Sequence, residues 1–271
     1  MVDLAPSDTE IRIEGLTKAF DGRPVLQGVD LTVQVGSFIA IVGGSGCGKT
    51  VLLNHILGLL TPDSGRIFVR MQGELVDLAG LDGEQLDDLH THWGVVFQRN
   101  ALFSGTVQGN IALWLKEVRH LGDEAIETIA AKVLESVGLP TDREFLDSPV
   151  ESLSGGMAKR IAIARSLAMK PDCLFFDEPT TGLDPVNASQ IQDLLLSTHV
   201  DQEADGKPRT TIIVTHDKDL LVRLKPQIVM LHEGSVSFNG PFDEFMTSTS
   251  PIIRPYFDLM PVLHQRDGGK I

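Results

Sequence analysis

Cysteine is nearly absent from this sequence: there are two in 271 residues, and their spacing is not that of a pair. Cys47 lies in a glycine-rich stretch and Cys173 opens an apolar run. Neither reads as half of a structural disulfide, which suits a reducing compartment. No apolar run reaches the roughly 18 residues that would cross a bilayer. Any membrane part of this protein's work is therefore expected from another chain. The start, Met1 to Glu10, is polar and acidic and does not read as a signal peptide. Positive charge is scarce, 23 Lys and Arg against 37 Asp and Glu, for a formal net charge of −14. A general nucleic-acid binder would carry a basic footprint, so nucleic acid is not expected as a partner. The acidity suits solubility in a crowded cytoplasm. There is no internal repeat and no low-complexity tract. What remains is a chain 42% hydrophobic, long enough for one large domain or a domain with an inserted lobe.

The chain is organised around residues 43–50, Gly43-Gly44-Ser45-Gly46-Cys47-Gly48-Lys49-Thr50. This fits the phosphate-binding P-loop pattern. Phe38 to Val42 reads as a short buried strand before it, and Val51 to Leu60 as a helix after it. Glycines let the backbone wrap closely around an oxyanion with successive N–H groups pointing inward. The helix N-terminus adds partial positive charge. Lys49 reaches the outer phosphates, and the Thr50 hydroxyl is suited to hold Mg²⁺.

Along the chain, Ile11–Glu14 and Leu31–Val35 alternate as strands, with a turn over Phe20–Pro24. Phe20 is either a core or loop-anchoring aromatic or a ring on which adenine stacks. Thr61–Gly65 is a turn and Arg66–Arg70 a strand. Residues 80–92 are acidic and read as a solvated helix or loop. Gly94–Phe97 is a short strand ending on Gln98. From 99 to about 165 strand signals vanish. Ile126, Ile129, Ala130, Val133, Leu134 and Val137 mark one helical face that stops at Gly138-Leu139-Pro140. The β pattern resumes with Cys173–Phe176 and Thr210–Val214, continuous apolar runs of the kind buried on both faces. Ile228–Leu231 and Ser235–Phe238 flank Glu233-Gly234 as a hairpin. The whole is an α/β chain with a largely parallel sheet and an inserted helical lobe. Residues 243–271 read as a short helix followed by a proline-containing irregular tail.

Four further features fall at strand or helix ends. Asp177 and Glu178 close a buried apolar strand, where adjacent carboxylates are costly unless they serve cations or proton transfer. Asp177 is placed to join a Mg²⁺ shell and Glu178 to polarise an attacking water. Ser154 is a candidate N-cap, and Gly155 and Gly156 leave that helix N-terminus bare to an anion. His216 follows a buried strand on the same edge as the other motifs. Gln98 on residue type alone is unremarkable.

At this point the sequence resembles the ATP-binding cassette (ABC) ATPases over about residues 11–240. The resemblance rests on the P-loop, Gln98 as the Q-loop glutamine, the signature Leu153–Met157 and the Walker B stretch 174–178. It also rests on a D-loop Gly182-Leu183-Asp184-Pro185 and His216 as the switch histidine. It implies a P-loop ABC ATPase core with an N-terminal antiparallel β part. In that scheme residues 1–271 form a single domain, with 11–98 and 166–242 as the RecA-like core, 99–165 as a helical subdomain and 243–271 as a C-terminal helix and tail. It implies ATP and Mg²⁺ as cofactors, and Phe20 as the ring under adenine. Gly43 to Val51, Ser154, Gly155, Gly156 and Asp184 then contact ATP. Thr50, Gln98 and Asp177 hold the metal, and Glu178, His216, Gln98 and Lys49 serve catalysis. It also implies a head-to-tail homodimer around two ATP molecules, driving an integral membrane permease from the cytoplasmic face of the inner membrane.

Two positions depart from the common pattern. Val51 stands where most of the family has a second hydroxyl residue, a loss of about 0.5–1.5 kcal/mol if one phosphate hydrogen bond is missing. Met157 replaces the usual final Gln of the signature. Leu-Ser-Gly-Gly-Met-x-x-Arg, with Phe97-Gln98-Arg99-Asn100-Ala101-Leu102-Phe103, is similar to the Mla-type branch. Those are bacterial phospholipid-trafficking ATPases that work with MCE proteins, so an MCE protein and a small regulatory subunit join the expected partners. The alternatives are an ABC importer or exporter of other cargo, and a non-transport ABC assembly factor. The aromatic tail, with Phe242, Phe245, Tyr256 and Phe257, either packs on its own domain or clamps another chain.

Overall fold

The computed structural model describes residues 8–200 and 209–260. Among them the strands are β1 (Thr9–Phe20), β2 (Arg23–Gln34), β3 (Phe38–Gly43), β4 (Ser64–Met71), β5 (Glu74–Asp77), β6 (Trp93–Val96), β7 (Cys173–Asp177), β8 (Thr210–Val214), β9 (Gln227–His232) and β10 (Ser235–Pro241). The α-helices are α1 (Lys49–Ile56), α2 (Gly83–Thr91), α3 (Val107–Glu117), α4 (Asp123–Ser136), α5 (Arg143–Leu146), α6 (Gly155–Ala168), α7 (Pro185–Val200), α8 (Lys218–Leu224), α9 (Phe242–Thr247) and α10 (Ile253–Leu259). These elements fall into two compact units, residues 8–89 with 199–200 and 209–260, and residues 90–198.

In the first unit, β1 and β2 form a hairpin in which Phe20 pairs with Arg23 across Asp21-Gly22. A two-residue Asp-Gly connection matches the natural twist of paired strands. β4 lies antiparallel on the other side of β1 and β5 follows, in the order β2-β1-β4-β5. Ile11, Ile13, Leu16, Val29, Leu31 and Val33 are all buried, so the alternation in the sequence marks the covered face. The same unit holds β3 between β8 and β9, parallel to both, with β10 antiparallel on β9. Residues Ile39 to Val42 and Thr210 to Val214 are buried without a break, as a strand covered on both faces requires.

The helix after the P-loop is shorter than the predicted Val51–Leu60 and starts earlier, spanning Lys49–Ile56. Gly58, at φ 70°, ends it. The Gly58 N–H donates to the His55 carbonyl at 3.1 Å and the Leu59 N–H to that of Asn54 at 2.9 Å. This paired closure satisfies the last carbonyls and turns the chain out of the helix. The acidic stretch at 80–92 is helical as α2, with Leu89 as its buried residue.

The second unit pairs β6 with β7 in parallel. Trp93 of β6 packs on Phe175 of β7, ring centroids 5.1 Å apart. α3 and α4 pack against α6. The predicted face of α4 is the buried one at Ile126, Ala130, Val133 and Leu134, with Val137 buried just beyond; Ile129 is only half-buried. Ile161, Ala164, Leu167 and Ala168 lie at helical spacing along α6, yet the helix is covered over more of its circumference than that stripe. Ala162, Ile163 and even Lys159 are buried, whereas Leu167 is half-exposed.

The C-terminal segment differs from the expected short helix and irregular tail. α10 is a second helix, and Pro255 sits in its first turn, where a missing N–H costs no helical bond. Phe242, Phe245 and Phe257 are buried together, Phe245 and Phe257 meeting edge to face at 5.8 Å. The rest of the predicted tail, residues 261–271, lies outside the described residues, as does most of the Met1–Glu10 stretch.

Candidate active site

Within the first unit the P-loop leaves the carboxyl end of β3. Gly43 pairs with Leu231 of β9 so closely that a Cβ on Gly43 would sit 2.3 Å from the Leu231 carbonyl oxygen and 2.6 Å from Cys47 Sγ. Only glycine fits there. The Lys49 ammonium folds back over the loop and donates to the carbonyls of Gly43 at 2.8 Å and Gly44 at 3.0 Å. A positive charge thus stands at the mouth of an arc of backbone, opening onto the N-terminus of α1, the arrangement that receives phosphate oxygens. Gly44, Ser45, Gly46 and Thr50 are exposed, while Cys47 and Val51 are half-buried. Burial pushes the Cys47 thiol above its ordinary value, and the Lys49 charge opposes that only in part.

His216 stands on the same edge. Ile41 of β3 pairs with Val214 of β8, and the next N–H, that of Thr215, donates to the Ile41 carbonyl at 3.2 Å. His216 therefore follows β8 as the P-loop follows β3. Asp217, fully buried, caps α8 by accepting from the N–H groups of Asp219 and Leu220. Phe20 ends β1 and is 41% exposed. The preceding Ala19 N–H donates to Asp63 at 2.7 Å, and the Lys18 ammonium lies 5.5 Å from the Phe20 ring centre. The Ala19 N–H, aided by Lys18, holds the Asp63 carboxyl below its ordinary value.

In the second unit, Val96 of β6 pairs with Phe176 of β7, so Gln98 and Glu178 each lie two residues beyond a matched pair at the carboxyl end. Ligands bind at this edge of parallel α/β sheets. Asp177 is buried at the strand end. Glu178 has φ 50°, a left-handed conformation unusual for a non-glycine residue, and its carboxylate accepts from the Thr181 hydroxyl at 3.3 Å. Such strain persists only where the surroundings impose it and concentrates at functional positions.

The signature stretch caps α6: the Ser154 hydroxyl accepts from the Met157 N–H at 3.3 Å. A Cβ on Gly156 would lie 2.3 Å from Asn187 Oδ1, so glycine allows α7 to approach. Asn187 in turn donates its side-chain amide to Asp184, whose other carboxylate oxygen accepts from the Val186 and Asn187 N–H groups, each at 3.0 Å. The Asn187 side chain and these N–H groups hold the Asp184 carboxyl below its ordinary value. Asn187 thus bonds to the D-loop and fills the space beside the signature glycine Gly156.

Residue-type reasoning passed over Asn187 and, one turn into α6, Lys159. Lys159 is 2% exposed, and its ammonium donates to the carbonyls of Phe97 at 3.1 Å and Gln98 at 3.0 Å. Burial pulls its pKa down to about 8, against the charge of Asp177. The available signal was a lysine next to an otherwise apolar run. Among the described residues no cluster of three His, Cys, Asp or Glu forms a protein-only metal cage. A magnesium ion held by a carboxylate, a hydroxyl and nucleotide phosphates needs none; Thr50 in the first unit, and Gln98 and Asp177 in the second, each carry a hard oxygen donor of the kind it prefers.

The family model for ABC transporters matches residues 26–181. The chain belongs to the ABC transporter family. It is an ATP-binding subunit of that family, and its enzymatic activity is ATP hydrolysis. It is 35% identical over 263 residues to "Protein TRIGALACTOSYLDIACYLGLYCEROL 3, chloroplastic" of Arabidopsis thaliana, covering 92% of this chain and 74% of that protein. It is 31% identical over 254 residues to the "Probable ribonucleotide transport ATP-binding protein mkl" of Mycobacterium tuberculosis, covering 93% and 67%. Among solved structures, cbiO1 of Clostridium perfringens, described as part of the ABC transporter complex cbiONQ, superposes with a TM-score of 0.75 at 32% identity, over 89% of this chain and 92% of that one. The ATP-binding cassette MJ0796, a dimer in a post-hydrolysis state bound to ADP and Pi, gives 0.72 at 29% identity, over 86% and 98%. The mixed α/β fold expected from the sequence is that of the ABC ATPases.

Two measurements probe this ABC ATPase locally. Lys159→Met keeps the side-chain volume but strips both carbonyls of their donor, and should lower unfolding free energy in urea by about 1–3 kcal/mol. Maleimide labelling of Cys47 should be slow at neutral pH and accelerate as the pH rises past the ordinary thiol range, because only the thiolate reacts. ATP should protect it. Fast labelling independent of pH would contradict the burial of this thiol.

Proposed function

We propose that this ABC ATPase is the motor of a phospholipid-trafficking transporter of the Mla type. It would work as a homodimer that closes around two ATP molecules and drives an integral membrane permease, with an MCE protein and a small regulatory subunit as further partners. The observation that carries the lipid reading is the signature Leu153-Ser154-Gly155-Gly156-Met157 followed by Arg160, with methionine where the family norm is glutamine. The Arabidopsis relative supports it, because its name contains a galactolipid. The dimeric state of the MJ0796 cassette supports the pairing of two copies. No helix among the described residues is long and apolar enough to cross a membrane. In this reading the protein sits peripherally on the cytoplasmic face of the inner membrane, held by the permease.

In this reading Lys49 exchanges its loop carbonyls for the outer phosphates of ATP, and the N–H groups from Gly44 to Val51 line those phosphates. Phe20 stacks on adenine. Thr50, Asp177 and Gln98 would hold Mg²⁺, which would supply positive charge to the phosphate oxygens. Glu178 takes a proton from the attacking water as its oxygen adds to the γ-phosphorus, and the β–γ bridging oxygen departs with ADP. His216 steadies the phosphate being transferred. Ser154, Gly155, Gly156 and Asp184 of the partner copy close over the same nucleotide. Residues 11–98 and 166–242 are the ATPase core, 99–165 the helical subdomain that meets the permease, and 243–271 a C-terminal appendage. Coupling requires ATP to bind the closed dimer much better than the open one.

A second reading keeps the motor and changes the cargo: the mycobacterial relative is named for ribonucleotide transport.

Glu178→Gln should cut ATP turnover by about 10²- to 10⁴-fold while trapping an ATP-bound dimer on size exclusion; undiminished turnover would remove Glu178 from its role. Affinity purification of the tagged chain from native membranes in mild detergent should bring down an integral permease, an MCE-type protein and phospholipid, identified by mass spectrometry. A permease with neither lipid nor MCE protein would favour the second cargo. A soluble complex alone would replace the transporter with an assembly factor.

A further inference from the structure

Tyr256 is the only tyrosine of the sequence. It lies on α10, 213 residues from the P-loop, yet its hydroxyl reaches the backbone of the loop's first residue. The hydroxyl accepts from the Gly43 N–H at 2.9 Å and donates to the Gly43 carbonyl at 3.2 Å. That same carbonyl accepts from the Lys49 ammonium at 2.8 Å. One buried oxygen therefore has two donors, the cation that faces phosphate and a phenol from the far end of the chain.

α10 is held firmly enough to present that hydroxyl. Phe257, the next residue, is buried against Phe242 and Phe245. The Lys218 ammonium donates to the Phe257 carbonyl at 3.0 Å and lies 4.2 Å from the centre of its ring. Arg254 pairs with Asp258 one turn on and donates to the Met246 carbonyl. Gly43 itself packs closely, since Leu231 and Cys47 crowd the position a side chain would take.

When Lys49 turns toward phosphate, the carbonyl of Gly43, a buried residue, loses its charged donor. A buried carbonyl left without a donor is costly. The phenol removes that cost because its donor is already in place, and its acceptor side fixes the direction of the Gly43 N–H. We propose that Tyr256 is a positioning residue for nucleotide binding. Its hydroxyl anchors the first residue of the P-loop and keeps the Gly43 carbonyl satisfied while Lys49 engages the phosphates. The proposal rests on ATP binding at the P-loop and adds to it a residue from the C-terminal helix.

Tyr256→Phe in the full chain removes one oxygen and keeps the ring. Titration with ATP should show Kd raised about three- to ten-fold, the range of one net hydrogen bond. The change should appear in KM more than in kcat, with the melting temperature of the nucleotide-free protein lowered only modestly, because the Gly43 N–H loses this acceptor in both states. A variant with unaltered Kd and KM, or one that loses kcat and stability at constant KM, overturns the proposal. A second measurement needs no variant. As the lone tyrosine, Tyr256 can be read by ultraviolet resonance Raman, where the tyrosine doublet reports hydrogen bonding at the phenol. Saturating ATP should shift the doublet ratio; a ratio unmoved by ATP overturns the proposal as well.

Discussion

Everything in the first unit that bears on nucleotide chemistry refers to the ammonium of Lys49 and the carbonyls that hold it. A lysine at the start of α1 folds back on the loop that precedes it and donates to Gly43 and Gly44. The contact requires a glycine at the close approach of β3 and β9, where no Cβ fits. It also requires β3 to be buried on both sides, so that its carboxyl end is fixed. The neighbouring strand β8, in parallel register, delivers His216 to the same edge. The charge of one side chain is thus given a location by strands that contribute only apolar residues.

The second unit repeats the principle with a different cation. Lys159 is buried, and its ammonium reaches the carbonyls at the end of β6, where the chain turns into Gln98. The same helix begins at the signature serine and glycines. A shift of α6 therefore acts on the signature and on the peptide of Gln98 together. Asn187 adds a second tie, from Gly156 to Asp184. Three motifs that look independent in the sequence are mechanically joined inside one unit by two side chains that belong to none of them.

Much of the local structure was legible in advance. Alternation marked parts of β1 and β2, unbroken apolar runs marked β3, β7 and β8, Asp-Gly lay in a predicted turn and Glu-Gly in a predicted hairpin. The ABC motifs identified the family, because each is a short contiguous pattern whose chemistry is carried by its own backbone. Legibility failed at element ends and at isolated charged residues. α1 stops at Ile56 because Gly58 closes it, although apolar residues continue to Leu60. α10 forms because Phe257 and Ile253 find a buried place, which a stretch of prolines and mixed residues does not announce. α6 is buried more widely than its apolar stripe, because neighbours pack on more than one side.

The sequence by itself determined the phosphate-binding loop, the family, the order of strands and helices, and the residue types available for hydrolysis. These depend on interactions within a few residues or on periodicity along one element. Only the tertiary structure decided where Lys49 rests, that Lys159 supports Gln98, that Asn187 links signature and D-loop, and that Tyr256 meets Gly43. Lys49 rests on carbonyls 6 and 5 residues away, but each of the other three is a pairing across 31 to 213 residues. Such a pairing is set by the packing of whole elements, and neither partner carries a local mark that names the other.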